Sequence, residues 1–120
     1  LAGVPYRDDA DRAALAEAIH ARGAPAVLVT GGHGVDAVDS LFDGGRHVPI
    51  HVARYGEETT HGAGCTHSAS LTAFLARGES LEDAARAAAE VATEAVRSGY
   101  RVGAGSGPVD VIGLAAQRAG

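Results

Sequence analysis

The segment Gly62-Ala63-Gly64-Cys65 combines residue types that can hold an anion and move a proton. Two glycines let the backbone turn its N–H groups to one side and let a ligand approach closely. An apolar run follows and predicts a helix from about Thr66 to Arg77, with Gly78 ending it. Such a helix adds unclaimed N-terminal N–H groups and the positive end of its dipole. The combination predicts an anion site suited to a phosphoryl group in transfer. Cys65 stands at that helix N-terminus, where a thiolate is favoured. A thiolate there can accept a proton from an attacking hydroxyl. The same spacing also suits a tight turn into an ordinary helix, with Cys65 as a small buried hydrophobe. On spacing alone both readings stand.

Other residues invite competing chemistry. The chain has 6 histidines, which raises the question of a metal. His47 and His51 share a strand face but lie roughly 13 Å apart at strand rise, too far to share a zinc ion with ligands about 2 Å away. His61 and His67 flank the glycine loop without a metal-ligand spacing, so no dedicated transition-metal site is expected. His61 either contacts phosphate or hydrogen-bonds backbone. Glu57 and Glu58 read as a solvated loop pair. Asp39 and Asp43 read as hairpin residues.

The elements that must position these residues follow from periodicity and punctuation. Asp8 to Arg22 predicts a helix with Ala13, Leu15, Ala16 and Ile19 on its apolar face and Gly23 as C-cap. Ala26 to Val29 is a short apolar run that predicts a buried strand. Val35 to Phe42 and Arg46 to Val52 predict two strands of a hairpin turning at Asp43-Gly44-Gly45. Val48, Ile50 and Val52 share one face of the return strand, and Pro49 favours an edge position. In the Thr66 to Arg77 helix, Ala69, Leu71, Ala73, Phe74 and Leu75 are expected to be mostly buried. Ser80-Leu81-Glu82-Asp83 has capping-box spacing and precedes an Ala-rich helix reaching about Ser98. Gly103 to Pro108 reads as a loop before a short apolar end, Val111 to Ala116. The order α-β-β-β-α-α suits one end of an α/β sheet with an antiparallel edge hairpin.

Composition bounds the partners. The 120 residues suffice for one domain, with no internal boundary evident, and 46% are hydrophobic. Ten basic against 15 acidic residues leave a formal net charge of −5, which argues against a broad nucleic-acid surface. A small anionic ligand stays compatible, because backbone N–H groups bind phosphate without basic residues. Cys65 is the one cysteine, so no internal disulfide forms. The start, Leu1-Ala2-Gly3-Val4-Pro5, lacks signal-peptide character, and no stretch is long and apolar enough to span a bilayer. A cytoplasmic protein is expected, and self-association is left open.

Thr59-Thr60-His61-Gly62-Ala63-Gly64-Cys65-Thr66-His67-Ser68-Ala69 closely resembles the T-H-G-[TA]-G-C-T-x-S-A signature of hydroxymethylpyrimidine and phosphomethylpyrimidine kinases of thiamine biosynthesis. Val29-Thr30-Gly31-Gly32-His33 resembles that family's V-K-G-G-H strand end. Leu41-Phe42-Asp43-Gly44 resembles its L-Y-D-G hairpin, and Ser106-Gly107-Pro108-Val109 its G-P-V close. The matches keep the family's order and cover most of the chain. Thr30 stands where the family usually has Lys, and Thr59 where it commonly has Asn.

The resemblance implies the C-terminal, nucleotide-handling part of a ribokinase-like α/β sandwich, with an edge hairpin and helices packed on the sheet. It implies a kinase using ATP and Mg²⁺ on a small-molecule pyrimidine alcohol and then on its monophosphate. Gly62, Ala63, Gly64 and Cys65 would form the anion hole, with Cys65 as base. Thr30, Gly31, Gly32 and His61 would lie near the nucleotide. Such kinases are about twice this length, and the upstream half would supply the pyrimidine pocket. A pyridoxal or pyridoxine kinase of the same subgroup is one alternative. A truncated nucleotide-binding remnant or interaction module is another.

Overall fold

The computed structural model describes residues 2–7, 11–31, 38–53 and 59–120. It contains α1 (Asp11–His20), β1 (Val27–Val29), β2 (Val38–Phe42), β3 (His47–His51), α2 (Ala63–Ala76), α3 (Leu81–Arg97) and α4 (Val111–Ala119). The chain divides into two compact units, Leu1–Val52 and Ala53–Gly120.

In the first unit the three strands pair in the order β1-β2-β3, each pair antiparallel. The β2–β3 hairpin sets Leu41 opposite Val48 and Phe42 opposite His47. The alternation expected of β3 is present. Val48 and Ile50 are buried, whereas His47, Pro49 and His51 are exposed. Pro49 lies on a strand at the edge of this sheet, where its missing N–H breaks no interior ladder. α1 packs on β1 and β2. Leu41, Ile50 and Ala16 form the centre of this small core.

The expected apolar face of α1 holds at Ala16, which is buried, and at Leu15 and Ile19, which are half-buried, but not throughout. Ala13 is exposed, and Arg12 is buried in its place. The hairpin is tied to α1 by a row of rings. Phe42 meets His20 edge-on and stacks on His47, with ring centroids 5.1 and 4.5 Å apart. His47 Nε2 lies 2.8 Å from Glu17 Oε1.

Asp43 behaves as a turn residue should. Its Oδ1 accepts from the backbone N–H groups of Arg46 and Gly45, at 2.8 and 2.9 Å. These two bonds hold its carboxyl below the usual carboxylate range, that to Arg46 most strongly. A lowered folded value favours the ionised folded state. The stabilisation is therefore complete above the ordinary carboxylate value and is lost as pH falls through the lowered one. Thermal melts of the native protein and Asp43→Asn should accordingly differ near neutral pH and converge in acid. A gap that persists in acid would show that charge is not the cause.

The second unit is helical. Ser80 caps α3 as its spacing predicts: its Oγ accepts the Asp83 N–H at 3.2 Å and donates to Asp83 Oδ2 at 2.6 Å. Ala84, Ala85, Ala88, Ala89, Ala92 and Ala95 are buried along α3, which packs against α2. Each buried methyl contributes about 0.8 kcal/mol. α2 is closed just past its C-cap Arg77 by Gly78, whose φ of +87° lets Glu79 donate back to the Phe74 carbonyl.

The expected burial of α2 does not hold. Among its side chains His67 is buried, Leu71 and Phe74 are half-buried, and Ala69, Ala73 and Leu75 are exposed. The helix is apolar around most of its circumference, but α3 covers one side only. The short apolar end also forms more structure than its length suggests. It is the helix α4, capped by Asp110 Oδ1 accepting the Gly113 N–H at 2.7 Å.

Candidate functional site

The glycine–cysteine loop is positioned by the residues before it and by a distant segment. Thr59 Oγ1 donates to the Val96 carbonyl of α3 at 2.8 Å. The Thr60 N–H donates to Ser106 Oγ at 3.2 Å, and the two hydroxyls lie 3.1 Å apart. His61 then forms a parallel bridge with Pro108. Its N–H donates to the Gly107 carbonyl at 3.1 Å, and its carbonyl accepts from the Val109 N–H at 3.0 Å. Residues 106–109 thus run beside residues 60–61 as a strap. Tyr100 and Ala95 hold the strap in turn, through Tyr100 N–H to Pro108 O (3.3 Å) and Asp110 N–H to Ala95 O (3.0 Å).

At Gly62 the chain takes the left-handed conformation, with φ 92° and ψ −2°, a geometry that disfavours a Cβ. Gly62 is the N-cap of α2, so the helix starts at Ala63 rather than near Thr66. The physical reason is that Gly62 O accepts both the Thr66 N–H and Thr66 Oγ1–H, each at 2.9 Å, closing the first turn over the glycine loop itself. Gly64 and Cys65 therefore belong to the first helical turn. The Ala63 N–H is taken by Thr60 O at 3.1 Å. No side chain caps this N-terminus, and its first turn carries no acidic residue. The N–H groups of Gly64 and Cys65 stand at the positive end of the helix with no anion supplied by the chain's own first turn. Cys65 is exposed rather than a buried hydrophobe.

The structure thus brings together His61, Gly62, Ala63, Gly64 and Cys65 in the second unit. What His61 contributes to the loop is its backbone; its ring is exposed. Thr30 and Gly31 follow β1 in the first unit, Thr30 exposed and Gly31 buried. Gly32, Glu57 and Glu58 lie outside the described residues. Among the described residues no group of three His, Cys, Asp or Glu side chains could hold a metal ion, and no helix is long and apolar enough to cross a membrane.

Sequence reasoning gave Ser106, Gly107 and Val109 no role beyond a motif match, and passed over Gly99. A Cβ on Gly99 would come within 2.6 Å of Thr59 Cβ and 2.8 Å of Pro108 O, so the absence of a side chain there lets strap and loop close. The available signal was the glycine density around the strap, without any indication of what it approached.

A family model described as phosphomethylpyrimidine kinase matches residues 1–110. A hydroxymethylpyrimidine/phosphomethylpyrimidine kinase of Streptomyces coelicolor is 40% identical over 111 residues, which cover 92% of this chain and 41% of that protein. Among solved structures, an ADP complex of Bacillus subtilis pyridoxal kinase superposes with a TM-score of 0.87 at 35% identity, over 97% of this chain and 46% of that one. Staphylococcus aureus pyridoxal kinase in complex with AMP-PCP and pyridoxal gives a TM-score of 0.86 at 30% identity, over 92% of this chain and 42% of the other. The chain spans less than half the length of each of these proteins.

Proposed function

We propose, from the premise that this chain belongs to the phosphomethylpyrimidine kinase family, that it is the nucleotide-handling part of a single ribokinase-like kinase domain. The kinase transfers the γ-phosphoryl group of ATP to hydroxymethylpyrimidine and then to its monophosphate. The observation that carries this reading is the uncapped N-terminus of α2, with Gly64 and Cys65 in its first turn and the Cys65 thiol exposed.

In this reading the Gly64 and Cys65 N–H groups and the helix dipole receive the negative charge of the phosphoryl group in transfer. Gly62 and Ala63 shape the turn that aims them. Cys65 Sγ takes the proton of the attacking hydroxyl. The O–H bond breaks, an S–H bond forms, the alcohol oxygen bonds to the γ-phosphorus, and ADP leaves. Thr30, Gly31, Gly32 and His61 serve the nucleotide, with the Thr30 hydroxyl offering a hydrogen bond where the family's usual Lys offers a charge. Mg²⁺ would arrive on the ATP phosphates and neutralise part of their charge. The described residues offer no carboxylate cluster for it, so no ligand in this chain is assigned to it.

A pyridoxal kinase is the second reading, favoured by the high structural similarity to two proteins of that name. One assay separates the two. The complete gene product is given MgATP with hydroxymethylpyrimidine, its phosphate, or pyridoxal, and the phosphorylated products are quantified. Turnover of both pyrimidines is expected. Preference for pyridoxal would select the second reading, and turnover of none by folded protein would leave a nucleotide-binding or interaction module.

Gly64→Ala separates the anion site from the fold. A Cβ at Gly64 enters open space, and alanine in a helix is favoured over glycine by about 1 kcal/mol. The variant should therefore melt no lower than the native protein. In this reading the added methyl group enters the space left for the phosphoryl group, so turnover should fall about tenfold or more. Unchanged turnover would move the anion site elsewhere.

A further inference from the structure

Two charged side chains in the first unit are buried and have no part in the proton or phosphoryl transfer. Arg12 of α1 is 5% exposed and Asp39 of β2 is 4% exposed. Both converge on Gly31. Asp39 Oδ1 accepts the Gly31 N–H at 2.8 Å. Arg12 Nη2 donates to the Gly31 carbonyl at 3.4 Å, and Arg12 Nη1 donates to the Val38 carbonyl at 2.8 Å. A Cβ on Gly31 would overlap that same Val38 carbonyl, so the backbone of β2 closes the third side. The N–H, the carbonyl and the α-carbon of one residue are each held by a different group.

Burying charged side chains is an inefficient way to stabilise a small sheet, because desolvation offsets much of the gain. What such groups do well is fix a geometry, since hydrogen bonds to charged partners are strong and directional in a dry setting. The Asp39–Gly31 and Arg12–Val38 bonds are short at 2.8 Å, and the Arg12–Gly31 bond is the long one of the three. The geometry fixed here is the backbone immediately after Thr30. We propose that Arg12 and Asp39 are positioning residues that clamp Gly31 and thereby set the affinity of the Thr30–Gly31 segment for the nucleotide. The inference rests on the proposed function, which puts that segment at the nucleotide. It goes beyond it by assigning affinity to two buried side chains that act through the Gly31 backbone.

The test uses the complete kinase with Arg12→Met, Arg12→Lys, Asp39→Ala and Asp39→Asn. Kd for MgATP is measured by calorimetry, and KM for each substrate and kcat by turnover. Arg12→Met and Asp39→Ala should raise Kd and KM for ATP about tenfold, the loss expected for one charge-assisted hydrogen bond. KM for the alcohol and kcat at saturation should stay within about twofold. Asp39→Asn should restore ATP affinity to within about threefold, because its amide oxygen accepts the same N–H. Arg12→Lys should not, because an ammonium cannot reproduce the planar fork that spans two carbonyls. If the two truncations do not fold, the Asn and Lys variants decide the matter. Native ATP affinity in Arg12→Lys, or an equal loss on both substrates in Asp39→Asn, overturns the clamp. If the native protein itself binds no MgATP, the proposed function falls, and the clamp falls with it for that separate reason.

Discussion

Cys65→Ser should lower the turnover of the complete kinase by about 10²- to 10⁴-fold, the range set by loss of a general base, and leave Kd for ATP within about threefold. The substitution keeps the size of the side chain and leaves the α2 backbone untouched. The N–H groups of the first turn are still delivered by the Gly62 N-cap. What is lost is the proton acceptor, since a serine hydroxyl stays protonated near neutral pH. Turnover and binding are therefore expected to separate. Equal losses in the two would instead assign Cys65 a structural role. Its exposure already argues against that, because a residue retained for packing is normally covered.

Gly107→Ala should destabilise the protein by about 2–3 kcal/mol and depress turnover as well. A Cβ on Gly107 would overlap the Tyr100 carbonyl oxygen, with the Tyr100 carbonyl carbon at 3.0 Å and Arg101 Cα at 3.2 Å. All three are backbone atoms, and Tyr100 is itself bonded to Pro108, so none can swing aside as the end of a long side chain would. Relief requires the strap to move. Movement draws the Gly107 carbonyl from the His61 N–H, one residue before the N-cap of α2. Gly103→Ala is the control, because a Cβ there meets nothing within 4 Å. It should change stability by less than about 0.5 kcal/mol. Denaturant titrations of the two variants give the comparison. Similar stabilities would mean that the strap is not under close packing.

The two experiments probe different distances along the chain. Cys65 acts through atoms of its own helical turn. Gly107 acts on that turn from far away in sequence, through a contact that is made or broken by one methyl group. The clamp on Gly31 is intermediate: Asp39 is 8 positions away, and Arg12 is 19.

Much of this protein was written in short-range pattern. Gly23 and Gly78 end their helices with φ of +106° and +87°, as glycine after an apolar run implies. Asp43-Gly44-Gly45 turns the hairpin, and the alternation in β3 sets which side chains face inward. Ser80 and Asp83 start α3 at their expected spacing. The string around Cys65 pointed to phosphoryl transfer, and the family it resembles is the one to which the chain belongs. Each of these features depends on residues within a few positions of one another, where propensity, capping and periodicity act.

Tertiary structure decided the rest. It started α2 at Ala63, because a left-handed Gly62 and the Thr66 hydroxyl close the first turn over the loop. It left Ala69, Ala73 and Leu75 exposed, because apolar character does not say which neighbour covers a helix. It gave Asp39, a hairpin residue as expected, the added part of a buried acceptor for Gly31, and put Arg12 among the buried residues of α1. It laid Ser106 beside Thr60 across 46 positions. Local sequence determines where a helix or turn is favourable, because those hydrogen bonds close within the element. Which distant backbone a buried charge, a hydroxyl or a bare glycine will meet is decided only when the chain has folded and those groups must find partners away from water.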